Sequence, residues 1–109
     1  VVYVNYLNGI FINIFKENET SVVAIEGRVD TITAPELESA VKHLINMGAS
    51  VVFECEKLEY ISSAGLRVVL ATHKQLTACA GKFALHHLNK EVKSVFDITG
   101  FSKILNIEE

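Results

Sequence analysis

Segments with strand-like and helix-like spacing of apolar residues alternate along most of this chain. Two strand-like segments come first, joined by the polar turn at 16–21, and a helix, a strand, a helix, a strand and a helix follow. In such an order each helix crosses from one strand to the next parallel strand and covers a face of the sheet. The sequence therefore predicts an α/β fold, a mixed β-sheet with an N-terminal antiparallel hairpin, parallel crossovers and covering α-helices.

The strands are predicted from short apolar patterns. The clearest alternation lies in GIFINIFKEN, where Ile10, Ile12 and Ile14 share one face. The apolar run SVVFEC, at 50–55, is typical of a strand that is buried on both faces. Other strands are predicted at 21–27 and 82–88, with a weak edge strand at 1–7 and a short strand or extended tail at 101–107.

Three helices are predicted from apolar residues at helical spacing and from their capping residues. The first has Thr33 and Glu36 at the spacing of a capping box, and Gly48 as its C-terminal cap. The third runs between Asn89 as N-cap and Gly100. The second helix follows a pair of serines, and its apolar face is expected to hold Leu66, Val69, Leu70, His73 and Leu76.

Composition and charge argue against several classes of protein. The net charge is −3 and the cationic residues are scattered, so direct binding of nucleic acid is not expected. The apolar runs are far shorter than the roughly 20 residues that span a bilayer, so membrane insertion is not expected either. Cys55 and Cys79 lie apart in apolar patterns, which predicts two reduced core thiols and a cytoplasmic protein.

The stretch LEYISSAGLRVVL, at 58–70, places two serines where an apolar run changes to helical spacing. A hydrolase elbow needs Gly-x-Ser-x-Gly, and the leading glycine is missing for both Ser62 and Ser63. The four histidines show no spacing that sets a base against either serine, and no chelating pair for a metal is evident. SSAG also lacks the glycines and lysine of a phosphate-binding loop. Spacing alone predicts a helix N-cap, with no catalytic residue, cofactor or metal.

The same stretch resembles the signature of the STAS domain, as found in anti-sigma factor antagonists (anti-anti-sigma factors). That family typically shows Asp-Ser, then Ser, Thr or Ala, then Gly-Leu and an apolar helix. Aligned on Gly65 and Leu66, Ser63 takes the place of the phosphorylatable serine and Ser62 that of the usual Asp. GRVDTITAPEL and VKSVFDITGFSKIL are similar to two further family segments. The resemblance spans roughly 9–107, which indicates a single STAS domain over 1–109 with an N-terminal extension at 1–8.

The resemblance implies a partner-switching role in bacterial signalling. The unphosphorylated domain would bind an anti-sigma factor that is also a GHKL-type serine kinase, and a sigma factor would be released. Phosphorylation of Ser63, or alternatively Ser62, would end the binding, and a PP2C-type phosphatase would reset the switch. The domain itself would not be an enzyme. The partner-binding residues implied are Asp30, Thr31, Ser62, Ser63, Gly65, Leu66 and Arg67.

Two other interpretations stay open at this point. The chain could be an unphosphorylated STAS module of another assembly, such as a stressosome-like scaffold or the partner of a lipid-transport ABC system. Ser62 in place of the usual Asp keeps that alternative open, because it removes a charge beside Ser63. A small enzyme using Ser63 or Cys55 is disfavoured because no paired base is evident. A monomer is expected, since the sequence shows no long exposed apolar stripe.

Overall fold

The fold is built on one sheet of six strands in sequential order. The computed structural model describes residues 3–7 and 9–109, the first stretch by its backbone alone. Strand β2 pairs antiparallel with β1 and β3, whereas β3 to β6 pair in parallel, so the predicted mixed sheet is confirmed. The strands are β1 (Tyr3–Leu7), β2 (Ile10–Glu17), β3 (Thr20–Val29), β4 (Ser50–Ile61), β5 (Lys82–His86) and β6 (Ile107–Glu108).

Three α-helices connect the parallel strands. They are α1 (Ala34–Val41), α2 (Ser63–Ala78) and α3 (Lys90–Thr99), with short 3-10 helices at Lys42–Leu44 and Phe101–Lys103. Because β3 to β6 follow one another in the sheet, right-handed crossovers place all three helices on the same face. Buried side chains of the strands and helices accordingly form one core cluster, which includes Ile12, Phe53, Leu85, Leu37, Leu76 and Phe96.

The face of the sheet opposite the helices is partly exposed to solvent. Along β4, Val51, Phe53 and Cys55 are buried under the helices, whereas Val52 and Glu54 on the other face keep intermediate exposure. The prediction that 50–55 is buried on both faces is therefore wrong, because the helices lie on one side only. The predicted alternation in β2 is confirmed, since its three isoleucines are buried.

Strand β4 is twice as long as its apolar run predicts, and this length positions the site. Beyond Cys55 it continues to Ile61, pairing with β3 through two register shifts. The last pair is Val29 with Ile61, so both strands end at the same edge of the sheet. The loop after β3 and the start of α2 therefore lie side by side, as expected for the carboxyl ends of parallel strands.

Other predicted boundaries are corrected by the structure. Helix α1 ends at Val41 and passes into a 3-10 turn, and Ile45 is already extended, so Gly48 does not cap the helix. The tail at 101–107 is mostly a 3-10 turn, with a strand only at its end. The edge strand predicted at 1–7 is confirmed for Tyr3–Leu7, while residues 1, 2 and 8 of the predicted extension lie outside the described residues.

Candidate functional site

The two adjacent serines have different structural positions. Ser62 is the N-cap of α2: its backbone is extended, its Oγ accepts from the Gly65 N–H at 3.4 Å, and its carbonyl accepts from the Leu66 N–H at 2.9 Å. Its own N–H donates to the Val29 carbonyl at 2.8 Å, which ties the helix start to the end of β3. The N-cap predicted from the serine pair is thus confirmed at Ser62.

Ser63 is the first residue of α2 and is exposed. Within the described part of the chain its side chain makes no hydrogen bond, so its hydroxyl is available to another protein. The backbone N–H groups of a first helical turn have no intrahelical acceptors, and the helix dipole is positive there. No acidic residue lies in this first turn. The position therefore favours a negative group on Ser63 more than it would elsewhere on the helix.

Gly65 and Leu66 fix the helix against the sheet. A Cβ at Gly65 would lie 2.6 Å from Ile61 Cγ1 and 2.7 Å from Val29 Cγ1, so no side chain fits between the helix and the strand ends. Leu66 is 5% exposed and belongs to the core cluster. Both residues thus lie beneath the surface that Ser63 and Arg67 present, and direct contact with a partner stays a prediction for them.

The loop after β3 is held rigid by Asp30 and Thr33. One carboxylate oxygen of Asp30 accepts the N–H groups of Ile32 and Thr33, each at 3.0 Å. The Thr33 hydroxyl accepts the Asp30 N–H at 2.9 Å and donates to the Arg28 carbonyl at 2.8 Å. The Thr33 N–H, aided by the Ile32 N–H, the Thr33 hydroxyl and the Arg28 charge, lowers the pKa of Asp30. Asp30 is therefore a fixed carboxylate at neutral pH.

This network replaces the predicted capping box. Thr33 precedes α1, but its side chain makes no cap hydrogen bond because its hydroxyl is engaged by Arg28 and Asp30. The side chain is fully buried. Thr33 therefore holds the loop instead of capping the helix, and the loop presents Thr31 and Ile32 to solvent.

Ile32 is a candidate residue that the sequence patterns miss. Its side chain is 68% exposed at the tip of the fixed loop, next to Thr31. An isoleucine between two threonines in a loop could have been noticed, since it fits neither a strand face nor a helix face of the predicted elements. Large exposed apolar side chains on a rigid loop are suited to bind a complementary pocket.

An open groove runs from this loop between α1 and α2. Its volume is about 640 Å³. Thr31 lies at the loop end of the groove, and Arg67 and Lys74 lie along its α2 side opposite Glu38. The apolar floor is formed by small side chains, among them Ala34, Pro35, Ala64, Val68 and Ala71. The structure thus brings Thr31 and Arg67 together along one surface.

Two of the histidines considered as a catalytic base, His86 and His87, are each paired with a carboxylate. His87 Nδ1 lies 2.8 Å from a Glu54 oxygen, and His86 Nε2 lies 3.0 Å from one of Glu108. His87 follows the end of β5 with a positive φ of 63°, so the prediction that both histidines alternate within the strand is wrong. Among the described residues, no group of three or more His, Cys, Asp or Glu is arranged to hold a metal ion.

The cysteines also differ from each other. Cys55 is buried, and burial, together with the neighbouring Glu54 charge, raises the pKa of its thiol far above the ordinary value. A thiolate nucleophile is therefore not available at Cys55. Cys79 is only half-buried, so the predicted core position is confirmed for Cys55 alone. Both thiols are free, as predicted.

In the described part of the chain, no helix has the length and apolar character to cross a bilayer.

Comparison with known proteins agrees with the fold. The STAS domain family matches residues 12–109. BtrV of Bordetella bronchiseptica, provisionally named an anti-sigma factor antagonist, is 38% identical over 87 residues, 79% of this chain and 75% of BtrV. The anti-sigma-B factor antagonist of Bacillus subtilis is 32% identical over 93 residues, 84% of this chain and 85% of that protein.

The fold is shared with a solved structure of a Bacillus protein. The cell fate determinant SpoIIAA, in its phosphorylated form, matches with a TM-score of 0.68 and 22% identity, over 88% of this chain and 89% of SpoIIAA. The resemblance inferred from the serine motif and its two companion segments is confirmed. Since the family match runs from β2 to the last residue, this chain belongs to the STAS domain family.

Proposed function

We propose that this protein is an anti-sigma factor antagonist that works as a binding switch and not as an enzyme. In its unphosphorylated form it binds a cytoplasmic anti-sigma factor with GHKL-type serine kinase activity, and phosphorylation of Ser63 ends that binding. The names of the Bordetella and Bacillus relatives support the antagonist role. The observation that carries the proposal is the exposed Ser63 hydroxyl, without a hydrogen-bond partner among the described residues, beside the fixed Asp30 loop.

The surface around Ser63 suits a protein partner better than a small substrate. It combines a fixed carboxylate at Asp30, an exposed apolar side chain at Ile32 and an exposed cation at Arg67. Only one oxygen of Asp30 is used within the described residues, so the other can accept from a partner. An apolar anchor ringed by polar and charged groups is typical of protein interfaces.

A phosphate on Ser63 would disrupt such an interface without unfolding the domain. It adds about −1.5 to −2 charges at neutral pH and a bulky group that must keep its water. The free N–H groups and dipole at the start of α2 can accommodate that charge in the unbound domain. A partner packed over Ser63 would have to desolvate the phosphate, which is unfavourable. The SpoIIAA structure supports the proposal to the extent that this fold can carry a phosphate.

Ser63 is a better phosphorylation site than Ser62. The Ser62 side chain is half-buried and accepts the Gly65 N–H, so its modification would remove the cap of α2. Loss of an N-cap costs roughly 1 kcal/mol. Ser and Asp are both good N-caps, so Ser62 keeps the structural role of the family's usual Asp while lacking its charge. The absent charge also leaves less repulsion against a phosphate on Ser63.

The experiment compares four purified proteins as baits in native lysate: wild type, Ser63→Ala, Ser63→Glu and Ser94→Glu. Ser94 is an exposed serine on α3, so Ser94→Glu controls for an added surface charge away from the site. Wild type, Ser63→Ala and Ser94→Glu should capture a protein with a GHKL-type kinase domain, and Ser63→Glu should not. The captured kinase with MgATP should add one phosphate to wild type and none to Ser63→Ala.

Two results would contradict the proposal. If all four baits capture the same scaffold or transporter and no phosphate is added, the protein is a STAS module of another assembly. If Ser94→Glu loses the kinase as fully as Ser63→Glu does, the loss reflects net charge and not the Ser63 position.

A further inference from the structure

Arg67 lies one helical turn after Ser63 on α2. Residues at i and i+4 are neighbours on a helix surface, with about 5–6 Å between their Cβ atoms. Helical side chains lean toward the N-terminus, so the long Arg67 side chain is directed toward the turn that carries Ser63. Both residues are exposed, so neither side chain is held in the core.

The guanidinium of Arg67 is not engaged in an ion pair within the described residues. The ion pairs found there join His86 to Glu108, His87 to Glu54 and Lys93 to Asp97. The other arginine, Arg28, stacks 4.2 Å from the centre of the Tyr60 ring and so is committed elsewhere. Arg67 is therefore an uncommitted cation next to the hydroxyl that the proposed function phosphorylates.

We propose that Arg67 binds the phosphate of phosphorylated Ser63, forming an arginine–phosphoserine pair within α2. This proposal rests on the proposed function, because the pair forms in the cell only when Ser63 is phosphorylated. Its consequence is a second element of the switch, because one modification adds a phosphate and also withdraws the Arg67 guanidinium from the partner surface. Arginine suits this role since its planar fork can donate two parallel hydrogen bonds to phosphate oxygens.

The neighbouring charges define the controls. Glu38 faces Arg67 across the groove between α1 and α2 and competes for it, while Asp30 lies on the adjoining loop and would repel a phosphate. Lys74, on the same groove wall, is eleven residues beyond Ser63, about 16 Å along the helix axis. That distance exceeds the screening length of roughly 8 Å at physiological salt, so Lys74 should contribute little.

The test uses full-length protein carrying phosphoserine at position 63, installed by genetic encoding so that no kinase is required. Phosphorus NMR then follows the second ionisation of the phosphate in wild type, Arg67→Gln, Arg67→Lys and Lys74→Gln. Arg67→Gln should raise the phosphate pKa by about 0.4 unit, Arg67→Lys by less, and Lys74→Gln by under ~0.1 unit. The Arg67→Gln effect should largely vanish in 1 M salt, where the screening length is about 3 Å.

A second measurement reports on the arginine itself. The Arg67 Nε–H resonance of wild type should move when phosphoserine replaces serine at position 63. Equal phosphate pKa values in wild type and Arg67→Gln, or equal shifts from Arg67→Gln and Lys74→Gln, would overturn the pair. If the pair fails while phosphorylation still ends kinase binding, the proposed function stands. If the pair forms but no kinase is captured, the proposed function fails alone.

Discussion

Removing the Thr33 hydroxyl should lower the free energy of unfolding and loosen the loop that carries Asp30. Thr33→Val keeps the shape of the side chain but leaves the Asp30 N–H and the Arg28 carbonyl without the partner they now share. An unsatisfied buried polar group costs about 1–3 kcal/mol, and these two backbone groups lie in a part-buried region. We therefore expect a loss of roughly 2 kcal/mol in the free energy of unfolding, or about 8 °C in Tm.

The assay is urea unfolding followed by circular dichroism, because the chain has no tryptophan. Thr31→Val is the matched control, since Thr31 is exposed two residues away and takes no part in the hydrogen-bond network around Asp30. The m-value should stay unchanged, which would assign the loss to the native state. A loss below ~0.5 kcal/mol for Thr33→Val, or an equal loss for Thr31→Val, would refute the argument that Thr33 holds the loop.

Two further predictions concern the same loop. Since hydrogen bonds hold the pKa of Asp30 below its unfolded value, the ionised carboxylate stabilises the fold above about pH 4, and this contribution is lost as the pH falls through the folded pKa. Asp30→Asn should thus be less stable than wild type at pH 7, with a gap in thermal melts that narrows as the pH falls through the lowered folded pKa; a gap independent of pH would contradict the assignment. Ile32→Ser should weaken kinase capture at least tenfold without lowering Tm, whereas Ile98→Ser, at an even more exposed isoleucine on α3, should leave capture unchanged. Equal effects of the two isoleucine variants on capture would contradict a specific role for Ile32.

The element order and the helix starts could be predicted because they depend on local patterns. Alternation in β2 and the cap at Asn89 are encoded within a few residues, and the Asn89 side chain indeed accepts the Val92 N–H at 2.8 Å. The mixed sheet with covering helices followed from the alternation of strands and helices together with the handedness of crossovers. Such features do not depend on which distant segment packs against them.

The second half of β4 could not be predicted because its pattern is set by tertiary pairing. Glu56, Lys57 and Glu59 are exposed and interrupt the apolar run, so the segment looks like a loop. It stays extended because β3 continues beside it, with two register shifts. One of them follows Gly27, where φ is +97°. Without these six residues the helix start would not reach the edge where Asp30 lies.

The serine pair shows most clearly what a sequence pattern leaves undetermined. Ser62 and Ser63 have the same side chain, and either suits a helix N-cap. Their roles differ because their backbone conformations differ. Ser62 is extended, with ψ near 177°, and its Oγ accepts the Gly65 N–H, whereas Ser63 is already helical. The extended conformation of Ser62 follows from its N–H donating to Val29, the last residue of a strand more than thirty positions earlier. A long-range contact thus commits one hydroxyl to the fold and leaves its neighbour available for a switch.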